Sequence, residues 1–162
     1  DILERLKQYI QGGYQEDEEQ QIRESDNLEG VRILVADDNE LNLEIMFEIF
    51  NSSGAAVDCA HNGKEALEAY LKSSQGYYQI ILMDVHMPEM NGLEATKEIR
   101  NSGRPDACTV PIIAMTADVF KEDIRRCQDA GMNAHMGKPV ELDKLYSTVR
   151  KLLNKEALGE KQ

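Results

Sequence analysis

The chain has 162 residues, 41% of them hydrophobic, and a formal net charge of −12. That length and apolar content support one ordinary domain with some length to spare. The acidity argues against nucleic acid as a direct partner, because phosphate backbones attract lysine and arginine. No apolar run approaches the roughly 20 residues that cross a bilayer, and there is no secretory core. The expectation is a cytoplasmic segment with no membrane contact of its own, even if its parent protein is anchored. Cys59, Cys108 and Cys127 show neither a CxxC spacing nor an even-numbered framework and read as reduced thiols.

The charge is unevenly placed. Residues 1–30 hold 9 acidic and 3 basic side chains, net −6, and the remaining 132 hold 21 and 15, also −6. Ile2, Leu3, Leu6, Tyr9 and Ile10 have helical spacing, stopped by Gly12-Gly13. The polar stretch YQEDEEQQIRESDNLEG (14–30) reads as a linker with too little apolar surface to order itself. The division is therefore a helix fragment and acidic linker over 1–30, a folded unit over 31–154 and a tail over 155–162. The chain begins with Asp1 rather than methionine, and a piece of a longer protein is expected.

From Val31 onward short apolar runs alternate with helical patterns. VRILVA predicts a strand, and Leu41, Ile45, Met46, Ile49 and Phe50 predict a helix after it. AAVDCA and GKEALEAYLKSS are the second pair, YQIILM and GLEATKEIR the third. VPIIAM is the fourth strand, followed by VFKEDIRRCQDAG, which Gly131 ends as a C-cap. AHMG is a weak fifth strand and ELDKLYSTVRKLL the last helix. Five strands alternating with five helices imply βαβ units: an α/β fold with a parallel sheet covered on both faces.

Such sheets bind ligands at the C-terminal ends of their strands. Asp37, Asp38 and Asn39 follow the first strand, His61-Asn62-Gly63 the second, Asp84 ends the third, Thr116 the fourth, and Lys138-Pro139 follows the fifth. Each has a plain structural reading: Asp38 as a helix N-cap, Thr116 as a helix-entry residue, Lys138 as a solvated lysine. Jointly these readings fail, because three strand-end carboxylates at one sheet edge repel unless a cation or proton is present. Oxygen-only ligands select a hard cation, Mg²⁺, with Mn²⁺ as the alternative. His61, His86 and His135 lie 25 and 49 residues apart, which gives no zinc-type spacing. A flavin phosphate site is disfavoured because Asp37 and Asp38 would repel phosphate, and no GxGxxG follows the first strand. An ionised aspartate beside a divalent cation, a hydroxyl and a lysine can take a phosphoryl group as an acyl phosphate.

The segments ILVADDNELN, ILMDVHMPEMNGLEA, PIIAMTA and GKP, in this order, resemble the signature segments of the response-regulator receiver domain of two-component signalling. The resemblance covers roughly 31–154 and implies a flavodoxin-like doubly wound sheet of order 2-1-3-4-5. It implies that Asp84 is the phosphoacceptor, that Asp38 binds Mg²⁺ directly and Asp37 through water, and that the backbone carbonyl of His86 is a further ligand. It also implies that Thr116 is the switch hydroxyl, that Lys138 pairs with the phosphoryl group, and that Lys138-Pro139 is cis. His135 stands where the family often has a rotating tyrosine or phenylalanine. Met87-Pro88 and Gly92 resemble the loop shaping the acceptor site, and His86 and Asp118 resemble residues that tune phosphoryl lifetime.

Similarity is greatest to receivers at the C-termini of hybrid histidine kinases, which implies a histidine kinase domain or a histidine phosphotransfer protein as partner, with a phosphorylation-dependent dimer left open. Two other readings remain. One is a phosphorylation-independent interaction module. The other is an aspartate-nucleophile phosphatase resembling the haloacid dehalogenase type, which would need DxDx[TV] after the first strand where this chain has adjacent Asp37-Asp38.

Overall fold

The computed structural model describes residues 27–117 and 121–159. The helix expected over 1–11, most of the acidic linker and Asp118 lie outside the described residues. In chain order the elements are β1 (Arg32–Ala36), α1 (Glu40–Ser52), β2 (Ala56–Ala60), α2 (Gly63–Lys72), β3 (Ile80–Asp84), α3 (Gly92–Arg100), a 3-10 turn (Pro105–Cys108), β4 (Ile112–Thr116), α4 (Lys121–Ala130), β5 (Ala134–Gly137) and α5 (Leu142–Gly159). The strands form one sheet of order β2-β1-β3-β4-β5, with every pair parallel.

β3 and β4 are buried along their whole length and β1 from Ile33 onward, whereas β2 at the edge is mostly exposed. This explains why the central strands are unbroken aliphatic runs: helices cover both faces, so neither parity of the strand is left for water. Alternation divides the core in two. Leu34, Ile81, Met83, Ile112 and Ala114 pack with Ala66 and Tyr70 of α2, Ala95 and Ile99 of α3, and Cys127 of α4. Ile33, Val35, Ile80, Leu82, Ile113 and Met115 pack with Leu43, Met46 and Phe50 of α1, and Leu145 and Val149 of α5. The result is the flavodoxin-like three-layer fold.

Packing begins earlier than Val31. Leu28 is only 2% exposed, joins the α1/α5 side of the core, and donates its N–H to the Ser53 carbonyl at 2.8 Å. The acidic segment therefore gives way to packed chain at Leu28. At the other end α5 runs on through Gly159, beyond the apolar pattern that ends at Leu153.

The three helices that leave β1, β2 and β3 each start on an asparagine. Asn39, Asn62 and Asn91 accept from the backbone N–H of Asn42, Glu65 and Glu94, which satisfies one otherwise unpaired donor per helix. Asn39 as the cap of α1 overturns the plain reading of Asp38 as that cap.

Thr96, in α3, is fully buried, and among the described residues its hydroxyl has no hydrogen-bond partner. Thr96→Val keeps the branched shape and removes an unpaid desolvation cost. The substitution should raise stability by about 1 kcal/mol in urea unfolding. A loss of stability would mean that the hydroxyl has a partner in solution.

Candidate phosphoacceptor and metal site

The C-terminal edge of the sheet brings five of the expected side chains together. β1 ends at Ala36, but Asp37 stays in the ladder by donating its N–H to the Ala60 carbonyl at 3.0 Å, so its side chain is held at 4% exposure. One Asp37 carboxylate oxygen accepts from the Asn39 N–H at 2.9 Å. The other accepts from the Asn42 side-chain amide at 3.4 Å and the Lys138 ammonium at 3.1 Å.

Asp84 is the last residue of β3, paired with Met115, and is also 4% exposed. Its backbone is fixed on both sides: the next N–H, from Val85, donates to the Met115 carbonyl, and the Val85 carbonyl accepts from Gly92, both at 2.9 Å. Gly92 starts α3 so close to the strand end that a Cβ there would lie 2.1 Å from the Asp84 carbonyl oxygen. Only glycine permits that approach. The Asp84 carboxylate lies 3.2 Å from the Lys138 ammonium and accepts a long hydrogen bond, 3.4 Å, from the His86 N–H.

Lys138 thus bridges Asp37 and Asp84, placed by β5 and by its own N–H donating to the Thr116 carbonyl at 2.9 Å. The Lys138-Pro139 bond is cis, as the resemblance implies. Thr116, the last residue of β4, is 2% exposed.

Asp38 is exposed, and one carboxylate oxygen from each of Asp37, Asp38 and Asp84 lies within 4.8 Å of the others. Burial pushes the Asp84 carboxyl up to about 6; Lys138 pulls against this and Asp37 adds to it. Burial alone would depress the Lys138 ammonium, but the two carboxylates outweigh it and hold Lys138 above its ordinary value. Three carboxylates facing one ammonium leave a net negative cleft at neutral pH. An all-oxygen donor set with that charge fits Mg²⁺ or Mn²⁺, and no thiolate or imidazole belongs to it.

His135 stands apart. Thr116 pairs with Gly137 and Ala114 with His135, so His135 sits two residues back from the site edge. It is exposed and lines a groove of about 400 Å³ with Gln128, Met132 and Thr148, between α4 and α5. His61 lies beyond the second strand, where its ring nitrogens meet Glu65 at 3.0 Å and Glu40 at 3.1 Å. The hydrogen bond to Glu65 leads in raising its pKa. All three cysteines are free. No described helix is long and apolar enough to cross a membrane.

Asn42 was not legible as a site residue, although its spacing from Asn39 puts it one helical turn along, over Asp37. The shared use of Lys138 by two carboxylates was not legible either.

Residues 33–150 match the response regulator receiver domain family. Hybrid signal transduction histidine kinase L of Dictyostelium discoideum is 36% identical over 121 residues, which cover 74% of this chain and 7% of that protein. Probable histidine kinase 4 of Oryza sativa subsp. japonica is 37% identical over 142 residues, covering 76% of this chain and 14% of that protein. The chain therefore spans a small part of the length of either relative. Among solved structures, the receiver domain of the sensor histidine kinase PA1611 from Pseudomonas aeruginosa PAO1, with magnesium coordinated in its active-site cleft, is similar at a TM-score of 0.69 and 31% identity, covering 77% of this chain and 98% of that one. With its parallel sheet, its strand-end carboxylates and these matches in agreement, the chain belongs to the response regulator receiver domain family.

Proposed function

We propose that this receiver is a phosphoacceptor of a two-component phosphorelay, in which Asp84 takes a phosphoryl group from a phosphohistidine. The observation that carries the reading is the Lys138 ammonium held 3.1 Å from Asp37 and 3.2 Å from Asp84, inside a cluster of three carboxylates. Such an arrangement holds Asp84 as a carboxylate nucleophile while leaving cationic charge where phosphoryl oxygens arrive.

In the transfer an Asp84 carboxylate oxygen forms a bond to phosphorus as the bond from phosphorus to the donor's imidazole nitrogen breaks. The bonding pair returns to that nitrogen, and the donor ring, which carries a proton on its other nitrogen, leaves as neutral imidazole. Asp38, Asp37 through water, Asp84 and the His86 carbonyl would hold a divalent cation, which would neutralise the charge of the incoming group. Lys138 then exchanges its contact with the Asp84 oxygen for one with a phosphoryl oxygen. The Thr116 hydroxyl turns to the phosphoryl group, shifting the face of α4, β5 and α5 on which His135 lies. Hydrolysis reverses the modification: water adds to phosphorus and Asp84 leaves as the carboxylate.

The donor or acceptor is a histidine kinase domain or a histidine phosphotransfer protein, and the names of the relatives favour a hybrid kinase as parent. Leu41, in the first turn of α1 at the acceptor edge, and Phe47, further along that helix, are 42% and 40% exposed, which supports a protein partner on the α1 side.

Intact-mass spectrometry after incubation with acetyl phosphate tests the reading. A gain of one phosphoryl group that needs Mg²⁺ and disappears in Asp84→Asn is the expected result. No gain in a folded chain would leave the interaction-module reading in its place.

A further inference from the structure

The β2–α2 connection contributes no residue to the carboxylate cluster, yet it touches the acceptor loop at its most constrained point. Between β3 and α3, Glu89 adopts φ 65°, the only non-glycine residue in the left-handed region among those described. Such a residue persists only where its surroundings over-determine it.

Part of that determination is internal: the Met90 N–H donates to the Pro88 carbonyl at 2.7 Å. The rest comes from the start of α2, which packs beside α3 on the same face of the sheet. The Gly63 N–H donates to the Met90 carbonyl at 2.9 Å, and the Asn62 side-chain amide donates to the Glu89 carboxylate at 3.4 Å while its oxygen caps α2. Asn62 is only 9% exposed. Gly63 is the one residue type that fits, because a Cβ there would sit 2.3 Å from the Met90 carbonyl oxygen and 2.8 Å from that of Asn91.

We propose that Asn62-Gly63 is a positioning element for the cation site: it clamps the Val85–Asn91 loop, and through it the His86 backbone, in the geometry that binds the divalent ion. The inference rests on the function proposed above. Besides the long His86 N–H bond to Asp84, the loop has four anchors. Two, from Met115 and Gly92, both hold Val85 beside Asp84. The other two, Gly63 on Met90 and Asn62 on Glu89, hold its second half, where the strained residue lies. Without them Glu89 relaxes to an ordinary conformation and the carbonyl of His86 loses its orientation.

Mg²⁺ affinity, read from backbone amide shifts, tests this on the whole chain. Gly63→Ala should weaken Mg²⁺ binding by about tenfold, the scale on which residues behind metal ligands act. Asn62→Ser keeps an oxygen for the cap but loses the amide donor, and should weaken binding by a smaller, measurable factor. Glu89→Gly, added to Gly63→Ala, should restore part of the affinity, because glycine holds a positive φ without help. Tyr78→Phe, which loses the hydrogen bond to Asp58 in the middle of the edge strand β2, should lower stability and leave Mg²⁺ affinity unchanged. If Gly63→Ala does not fold, Asn62→Ser carries the comparison. Unchanged affinity in the folded variants overturns the clamp alone. A wild-type chain that binds Mg²⁺ but accepts no phosphoryl group overturns the proposed function alone.

Discussion

Asp106→Ala is expected to cost about 3 kcal/mol at neutral pH, a large effect for a residue at the end of the molecule opposite the phosphoacceptor site. The Asp106 carboxylate, 15% exposed, accepts from Arg104 through Nε and Nη2, both at 3.0 Å. It also accepts from the Tyr70 hydroxyl at 2.7 Å and the Gly76 N–H at 2.8 Å. With its guanidinium fixed in this way, Arg104 uses Nη1 to donate to the Tyr70 and Ser73 carbonyls at 2.8 and 2.9 Å and stacks over the Tyr70 ring at 4.7 Å. The Tyr70 carbonyl lies in the last turn of α2, where it also accepts from the Ser73 N–H and hydroxyl, and the Ser73 carbonyl is that of the C-cap. One carboxylate therefore orients the group that closes a helix, and removing it strands a half-buried cation.

Burial works against the charge on Asp106, but the hydrogen bonds from Arg104, Gly76 and Tyr70 outweigh it and hold the carboxyl at about 2. A depressed folded value means that the unfolded chain binds the proton more readily. The contribution is then present above the ordinary carboxylate range and is lost as pH falls from about 4 to about 2. A shift of that size corresponds to about 2 kcal/mol. Urea titrations across acid pH should show this slope in the wild type and a flatter one in Asp106→Asn, which keeps the shape without the charge. A cost under about 1 kcal/mol for Asp106→Ala would mean that the cluster behaves as an exposed ion pair does.

The parts of this fold that a sequence exposes are those decided by local patterns. β3 and β4 announce themselves because burial on both faces demands continuous aliphatic runs, and the helices because one stripe must be apolar. Asp84 stands out as a carboxylate at the end of such a run. What stayed hidden was decided between segments. The fourth strand starts at Ile112 rather than Val110 because the Val110 N–H is taken by the Asp106 carbonyl at 2.9 Å, as the chain leaves a 3-10 turn that no periodicity marks. α5 outruns its apolar pattern because NKEALG, residues 154–159, has no strong breaker before Gly159. Asn39 displaced Asp38 as a cap because asparagine and aspartate are nearly equal in that role, and only the geometry chooses. The Gly63–Met90 contact joins residues 27 apart, and neither carries a mark of the other.

At the site itself, Asp84→Asn is expected to make the metal-free protein more stable at pH 7, by about 1–2 kcal/mol, while removing the residue on which the proposed chemistry depends. Burial leads in pushing the folded carboxyl from its ordinary 3.8 up to about 6; Lys138 opposes it and Asp37 adds to it. A raised folded value means that the native state holds the proton more tightly than the unfolded chain does. Stability then falls as pH rises from about 4 through about 6, and above that the ionised Asp84 carries its full cost. Asparagine removes the charge and keeps the shape, and Lys138 retains Asp37 at 3.1 Å. Mg²⁺ reverses the ranking. A ligand bound only by the native state adds about 2.7 kcal/mol at a hundred times its Kd, and the variant, lacking one of three clustered carboxylates, forfeits most of that gain. Thermal unfolding of both proteins with EDTA and with Mg²⁺ should therefore show the two stability orders crossing. A variant less stable than wild type in EDTA at pH 7 would show that the Lys138 ion pair outweighs burial. Asp84 would then be a structural anchor more than a charge held in readiness for a cation.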